Sequence, residues 1–92
     1  MLVDLSKEKV SALISKRKNF LLIGWHRFEE VCETMRSHGF RGDFPSFRSK
    51  NRIMRYHHYD LSTANGEKAR MMLVRMTDEA IMVTFPGSMQ NH

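Results

Sequence analysis

Acidic side chains are nearly missing from about a quarter of this chain. Between Arg36 and Tyr59 the one carboxylate is Asp43, against Arg36, Arg41, Arg48, Lys50, Arg52 and Arg55. That window therefore carries a net +5, the whole formal charge of the 92-residue protein, because the remaining nine Lys/Arg and nine Asp/Glu cancel. Other absences narrow the class. A lone cysteine, Cys32, cannot close an internal disulfide, which fits a reducing compartment. No uninterrupted apolar run exceeds four residues, as in Phe20 to Ile23, far short of a bilayer span, so no membrane partner is expected. The opening Met1-Leu2-Val3-Asp4-Leu5-Ser6-Lys7-Glu8 has no basic stretch followed by a long apolar one, so no signal peptide is read and a cytoplasmic location is expected.

What is present is an ordinary globular composition, 41% hydrophobic and 27% charged, in a length that suits one small domain over residues 1–92. A helix is predicted from about Lys7 to Lys18. Ser6 is its N-cap, Leu5 and Val10 are placed as a hydrophobic staple, and Val10, Leu13 and Ile14 share one face. Lys16, Arg17 and Lys18 fall in its last turn, complementing the helix dipole. Phe20 to Ile23 reads as a short strand buried on both faces, ended by Gly24. A second helix, about residues 25 to 38, gathers Trp25, Phe28, Val31, Cys32 and Met35 on one face. It ends with Gly39 at C′ and with Phe40 at C″ facing Met35 at C3, the pattern of a Schellman motif.

Residues 41 to 51 have no sustained period and read as an ordered loop anchored by Phe44 and Phe47. Arg52 to Ser62, Lys68 to Met76 and Ala80 to Phe85 read as three strands. Pro86-Gly87 closes the last, leaving a short tail. A two-residue Asn65-Gly66 turn would place Tyr59 opposite Met72, His57 opposite Val74 and Tyr56 opposite Arg75. The fold class expected is α+β, ordered α-β-α-β-β-β, with two helices packed on one face of a small mainly antiparallel sheet.

Catalytic chemistry finds little support. His26, Cys32 and His38 are six apart, about 240° around a helix, and cannot converge on one metal ion. His57 and His58 alternate across a strand, and Cys32 lies on an apolar helix face. The glycines are isolated and match no phosphate-binding loop, so no cofactor and no small-molecule substrate is expected.

The Arg36–Tyr59 window interleaves its cations with Phe40, Phe44, Phe47, Tyr56 and Tyr59. Guanidinium groups beside flat rings can grip phosphates while offering bases a stacking surface. The candidate contact residues are Arg36, Arg41, Phe44, Phe47, Arg48, Lys50, Arg52, Arg55, Tyr56 and, across the hairpin, Arg75. No recognition helix, zinc finger or RRM signature accompanies them, so sequence-specific reading is not indicated. Met54, Met71, Met72, Met76 and Met82 are expected to suit adaptable protein contacts, and the combination points to RNA or a ribonucleoprotein complex as partner.

Two resemblances bear on the same residues. Ser37-His38-Gly39-Phe40 and Tyr56-His57-His58-Tyr59 look like pieces of the small toxin RNases of the HicA type, which have a fold like the double-stranded-RNA-binding domain. That likeness implies His57 or His58 as general base on a ribose 2′-hydroxyl, with Arg55 or Lys50 stabilising the phosphorane. It departs from that family in lacking Gly-Ser-His at a strand start and in carrying an eleven-residue loop. Over the whole chain, Met1 to His92, the size, the compact α+β reading and the lack of a catalytic constellation resemble small phage-encoded inhibitors, notably anti-CRISPR proteins. That group shares no motif, so no residue role carries over. The resemblance implies stoichiometric blocking of an RNA-guided surveillance complex in the host cytoplasm, through guide RNA or an acidic subunit. The expectation is thus a non-enzymatic basic binding protein. The alternatives are a free nucleic-acid-binding regulator, a histidine-based RNase and a plain protein-interaction module.

Overall fold

The computed structural model describes residues 5–86; the tail expected after Pro86-Gly87 lies outside them. It is an α+β fold whose elements run α1 (Lys7–Ser15), β1 (Phe20–Ile23), α2 (Phe28–Ser37), β2 (Arg41–Gly42), α3 (Phe47–Lys50), β3 (Tyr56–Ser62), β4 (Lys68–Arg75) and β5 (Glu79–Thr84). The five strands form one sheet in the order β1-β5-β4-β3-β2, antiparallel throughout.

Local chemistry explains the helix ends. Ser6 caps α1 by accepting from the Lys9 amide, and Leu5 packs onto the core beside Val10 and Ile14. The helix stops at Ser15, earlier than expected, because Arg17 adopts a left-handed φ of 56°. Its side chain does not simply offset a dipole. The guanidinium forks onto Glu67 at 2.8 and 3.1 Å, donates to the Ile14 carbonyl and lies 5.0 Å from the centre of the Phe40 ring. At the end of α2 the Schellman bonds form as the sequence predicts: the Phe40 amide donates to Met35 O and the Gly39 amide to Arg36 O. Phe40 is thereby driven into the core, where it meets Phe85.

Burial divides the sheet by strand parity. Phe20 and Leu22, Tyr59 and Leu61, Ala69, Met71 and Leu73, and Ile81 and Val83 point inward against Val10, Ile14, Phe28, Val31, Cys32 and Met35 of the two long helices. The other face is more open, with rows Leu21–Met82–Met72–His58 and Ile23–Ala80–Val74–Tyr56 running across it, though Ala80 is buried and Ile23, Met72 and Val74 are half-buried. Phe20 to Ile23 is therefore not buried on both faces; as an edge strand it hides one side and exposes Leu21.

The expected two-residue hairpin turn is replaced by a longer one. Thr63 and Glu67 close a three-residue loop, Ala64-Asn65-Gly66, with Gly66 donating to Thr63 O and holding a φ of 90°. This is a type I turn followed by a bulge that needs a left-handed residue. The added residue shifts the register by one, so Tyr59 faces Met71, His57 faces Leu73 and Tyr56 faces Val74 rather than Arg75. Since a one-residue slip exchanges faces, Met71 becomes core while Met72 and Val74 turn to the open side.

Residues 41 to 51 are not an irregular loop either. Arg41 and Gly42 pair with Ser62 and Leu61, adding an edge strand, and Ser46 opens a one-turn third helix. Gly42 makes the pairing possible: a Cβ there would lie 2.6 Å from the Asp60 carbonyl oxygen, and its φ is 144°. Gly42→Ala is expected to destabilise the fold by about 2 kcal/mol or more. Gly66→Ala, with open space around it, should lose only about 1 kcal/mol for the left-handed backbone. Urea unfolding checks the ranking, and an equal loss at both sites would contradict the close approach.

The carboxyl of Glu67 is held below its ordinary range chiefly by hydrogen bonding from Arg17, and that of Glu30 likewise by Arg27. A carboxyl whose folded value is depressed stabilises the fold above its unfolded value, roughly pH 4.3 for Glu, and loses that contribution as pH falls through the folded value. Melting temperature should therefore decline below about pH 4.5, and Glu67→Gln should flatten part of that decline in a pH series.

Candidate nucleic-acid interface

The basic segment runs from the last turn of α2 through β2 and α3 into the start of β3. Each cation in it is positioned by a local device. Arg36 ends α2 with its guanidinium 4.3 Å from the centre of the Phe44 ring, and Phe44 packs half-buried against the core. Arg41 turns one nitrogen back to the carbonyls of Arg36 and Phe40, satisfying the end of α2. Ser46 and Ser49 form a reciprocal capping box, each hydroxyl accepting from the other's amide. The single turn they start sets Phe47 and Lys50 three apart on one side. The Lys50 ammonium lies 4.7 Å from the Phe47 ring centre and 5.2 Å from that of Phe28. Arg48, Arg52 and Arg55 project to solvent around the buried anchor Ile53.

None of Arg36, Arg41, Arg48, Lys50, Arg52 and Arg55 forms an ion pair among the described residues. The bridges present join Arg17 to Glu67, Arg27 to Glu30, Arg70 to Asp60 and Arg75 to Glu79. Cation–π contacts orient Arg36 and Lys50 but leave their charges in place. The segment is thus an unneutralised positive strip with two exposed rings, Phe47 at 64% and Tyr56 at 60%.

Three of the aromatic and basic groups drawn into the sequence argument do not belong to this surface. Phe40 and Tyr59 are buried core residues, so neither offers a stacking face. Arg75 is committed internally: its guanidinium lies 4.7 Å from the centre of the Trp25 ring and its Nε is 3.5 Å from Glu79 Oε2. That Nε is buried and the Glu79 contact falls short of hydrogen-bond geometry, so Arg75 acts as a packed ion-pair partner. Phe44, between Arg36 and the core, is an anchor rather than a platform.

Beneath the strip lies a cleft of about 450 Å³ between β3 and the 43–54 segment. Its lining includes Asp43, Phe44, Ser46, Ser49, Arg52, Tyr56, His57 and Tyr59. The His57 ring tilts against Tyr59 at 4.7 Å between centres, while His58 occupies the open sheet face near Asp60 and Met72. Asp43, treated in the sequence only as an offsetting charge, His57 and Tyr59 are cleft residues that charge counting missed. The available signal was that Asp43 stands alone among six cations.

Elsewhere reactive groups are quiet. The Cys32 thiol is buried against Met71 Sδ at 3.7 Å, and burial pushes its pKa up to about 12. Among the described residues no group of three or more His, Cys, Asp or Glu is placed to hold a metal ion, and no helix is long and apolar enough to cross a membrane. No protein-family model matches this chain, and neither the curated proteins nor the solved structures searched contain a match. Cys32 should resist iodoacetamide at pH 8 in the native protein and alkylate fully in 6 M guanidinium (about a thousandfold less thiolate at a pKa near 12 than near 9). Native alkylation at the rate of a free thiol, read by mass spectrometry, would contradict the burial.

Proposed function

We propose that this chain is a non-enzymatic basic binding protein that docks on RNA or a ribonucleoprotein complex through the surface formed by residues 36–59. The observation that carries the reading is the absence of any carboxylate partner, among the described residues, for the six cations of that surface. Six like charges without local neutralisation repel one another and favour an anionic partner. Phe47 and Tyr56 add rings on which unpaired bases can stack, which favours single-stranded RNA over a duplex that hides its bases.

The open sheet face supports the ribonucleoprotein form of the reading. Leu21, Met72, Val74 and Met82 contribute an adaptable apolar surface, and Tyr56 stands at its corner next to the positive strip. Met54 and Met76 are largely exposed, whereas Met71 is in the core and plays no part. A partner presenting protein beside bound RNA would meet both surfaces. In the form implied by the resemblance to phage inhibitors, the protein occupies an RNA-guided complex stoichiometrically.

Binding without turnover is the reading favoured over an RNase. Of the two strand histidines only His57 lines the cleft, with Arg52 beside it in the lining, and His58 lies on the opposite sheet face. A general acid to complement His57 has no second histidine there.

Fluorescence anisotropy with a labelled single-stranded RNA 20-mer tests this. Wild-type affinity should fall with salt at a slope of about −0.7 per phosphate contact. The triple variant Arg48→Glu, Lys50→Glu, Arg52→Glu should lose binding while keeping its circular dichroism. Unchanged binding in that variant would leave only a protein-interaction module. Cleavage of the RNA by the wild type, lost in His57→Ala, would overturn the non-enzymatic assignment.

A further inference from the structure

We propose that the cleft beneath the positive strip is a pocket for one extruded nucleotide of the bound RNA and that Asp43 makes it select guanine. The inference rests on the RNA-docking reading and deepens it. A strip built only to hold phosphates gains nothing from a carboxylate, which repels them. Yet Asp43 sits among the six cations, lines the cleft, and forms no salt bridge or side-chain hydrogen bond among the described residues.

The fold goes to some length to hold Asp43 there. The preceding residue is Gly42, whose missing side chain allows β2 to lie against the Asp60 carbonyl. Two residues on, Pro45 is buried, and the Ser46–Ser49 capping box begins. The carboxylate is therefore carried on a short stretch fixed at both ends. The serine hydroxyls nearby are consumed by the cap, so Asp43 and Arg52 are the charged groups left facing the cleft.

Size and lining suit a nucleotide. At about 450 Å³ the cleft falls within the roughly 300–1,000 Å³ range of small-ligand sites. The His57 ring, tilted against Tyr59 on the cleft side of β3, supplies a flat wall, and Arg52 supplies a cation for the phosphate of the same nucleotide. An ionised carboxylate only accepts hydrogen bonds. Among the four RNA bases, guanine alone presents two adjacent donors on its Watson–Crick edge, N1–H and N2–H, a match for both oxygens of one carboxylate. Uracil offers a single donor flanked by acceptors, while adenine and cytosine offer an amino group beside an acceptor that a carboxylate repels. The chemistry therefore points to guanine.

The test uses octameric RNAs, U8 and three versions with one central G, A or C, measured by anisotropy with the full-length protein. The G-containing octamer should bind about tenfold or more tighter than the other three, the discrimination of one bidentate pair. In Asp43→Asn, checked for folding by circular dichroism, the ratio of G to U8 affinity should collapse to near one. An amide, unlike a carboxylate, presents only one acceptor to the two guanine donors. Equal, salt-dependent binding of all four octamers by the wild type would overturn the guanine pocket and leave the phosphate-binding strip standing. A guanine preference that survives Asp43→Asn would also overturn it. Failure of every octamer to bind at low salt would remove the strip reading and this inference with it.

Discussion

The register of the β3–β4 hairpin is the constraint on which the rest of this structure depends. Side chains alternate across a strand, so one residue of offset decides which half of the sheet is apolar interior and which meets water. The three-residue loop closed by Thr63 and Glu67 sets that offset. It turns Tyr59, Leu61, Met71 and Leu73 toward the helices and leaves Tyr56, Met72 and Val74 outside. It also sends His57 to the helical side of the sheet just beyond the cover of α2, where the cleft opens. Arg17 reinforces the same loop from across the molecule by gripping Glu67.

A second theme is the separation of two kinds of arginine. Arg17, Arg27, Arg70 and Arg75 each meet a carboxylate: Arg17 reaches the hairpin loop, Arg70 and Arg75 join neighbouring strands, and Arg27 braces the start of α2. Those between Arg36 and Arg55 are held by backbone carbonyls, by aromatic rings or by nothing but their own stretch of backbone. The first group contributes modestly to stability, as ion pairs still partly open to solvent do. The second contributes positive potential. The same residue type thus has structural and outward-facing uses in one small chain, and only the presence or absence of a nearby acid distinguishes them.

Much of the framework was legible in the sequence because it is written in local patterns. Ser6, the Val31–Cys32–Met35 face of α2, and Gly39-Phe40 each act through neighbours a few positions away, and all take their expected places. What escaped was set at longer range or by unusual local chemistry. Asn65-Gly66 announces a turn but does not fix its length, and the three-residue loop puts the register one residue away from that of a two-residue turn. The capping box of α3 uses serine at both ends instead of an acidic or amide third residue, which hid the helix. Arg75 looked free because Trp25 and Glu79 reach it only after the sheet has closed. At the candidate site, the charges were visible as a count. The cleft was not, since it forms between residues on β3 and a segment whose path the sequence did not reveal.

The placement of β1 has a kinetic consequence. Strands β3, β4 and β5 form a meander joined by short connections and can zip from local contacts. β1 must find β5 from the opposite end of the chain, as the 55-residue separation between Trp25 and its acceptor Ala80 illustrates. Loop closure of that length gives no return until the meander already exists to receive the strand. The order of assembly is thereby biased toward the carboxyl-terminal half first. During synthesis the amino-terminal helices emerge early, then wait for the sheet that will shelter their apolar faces.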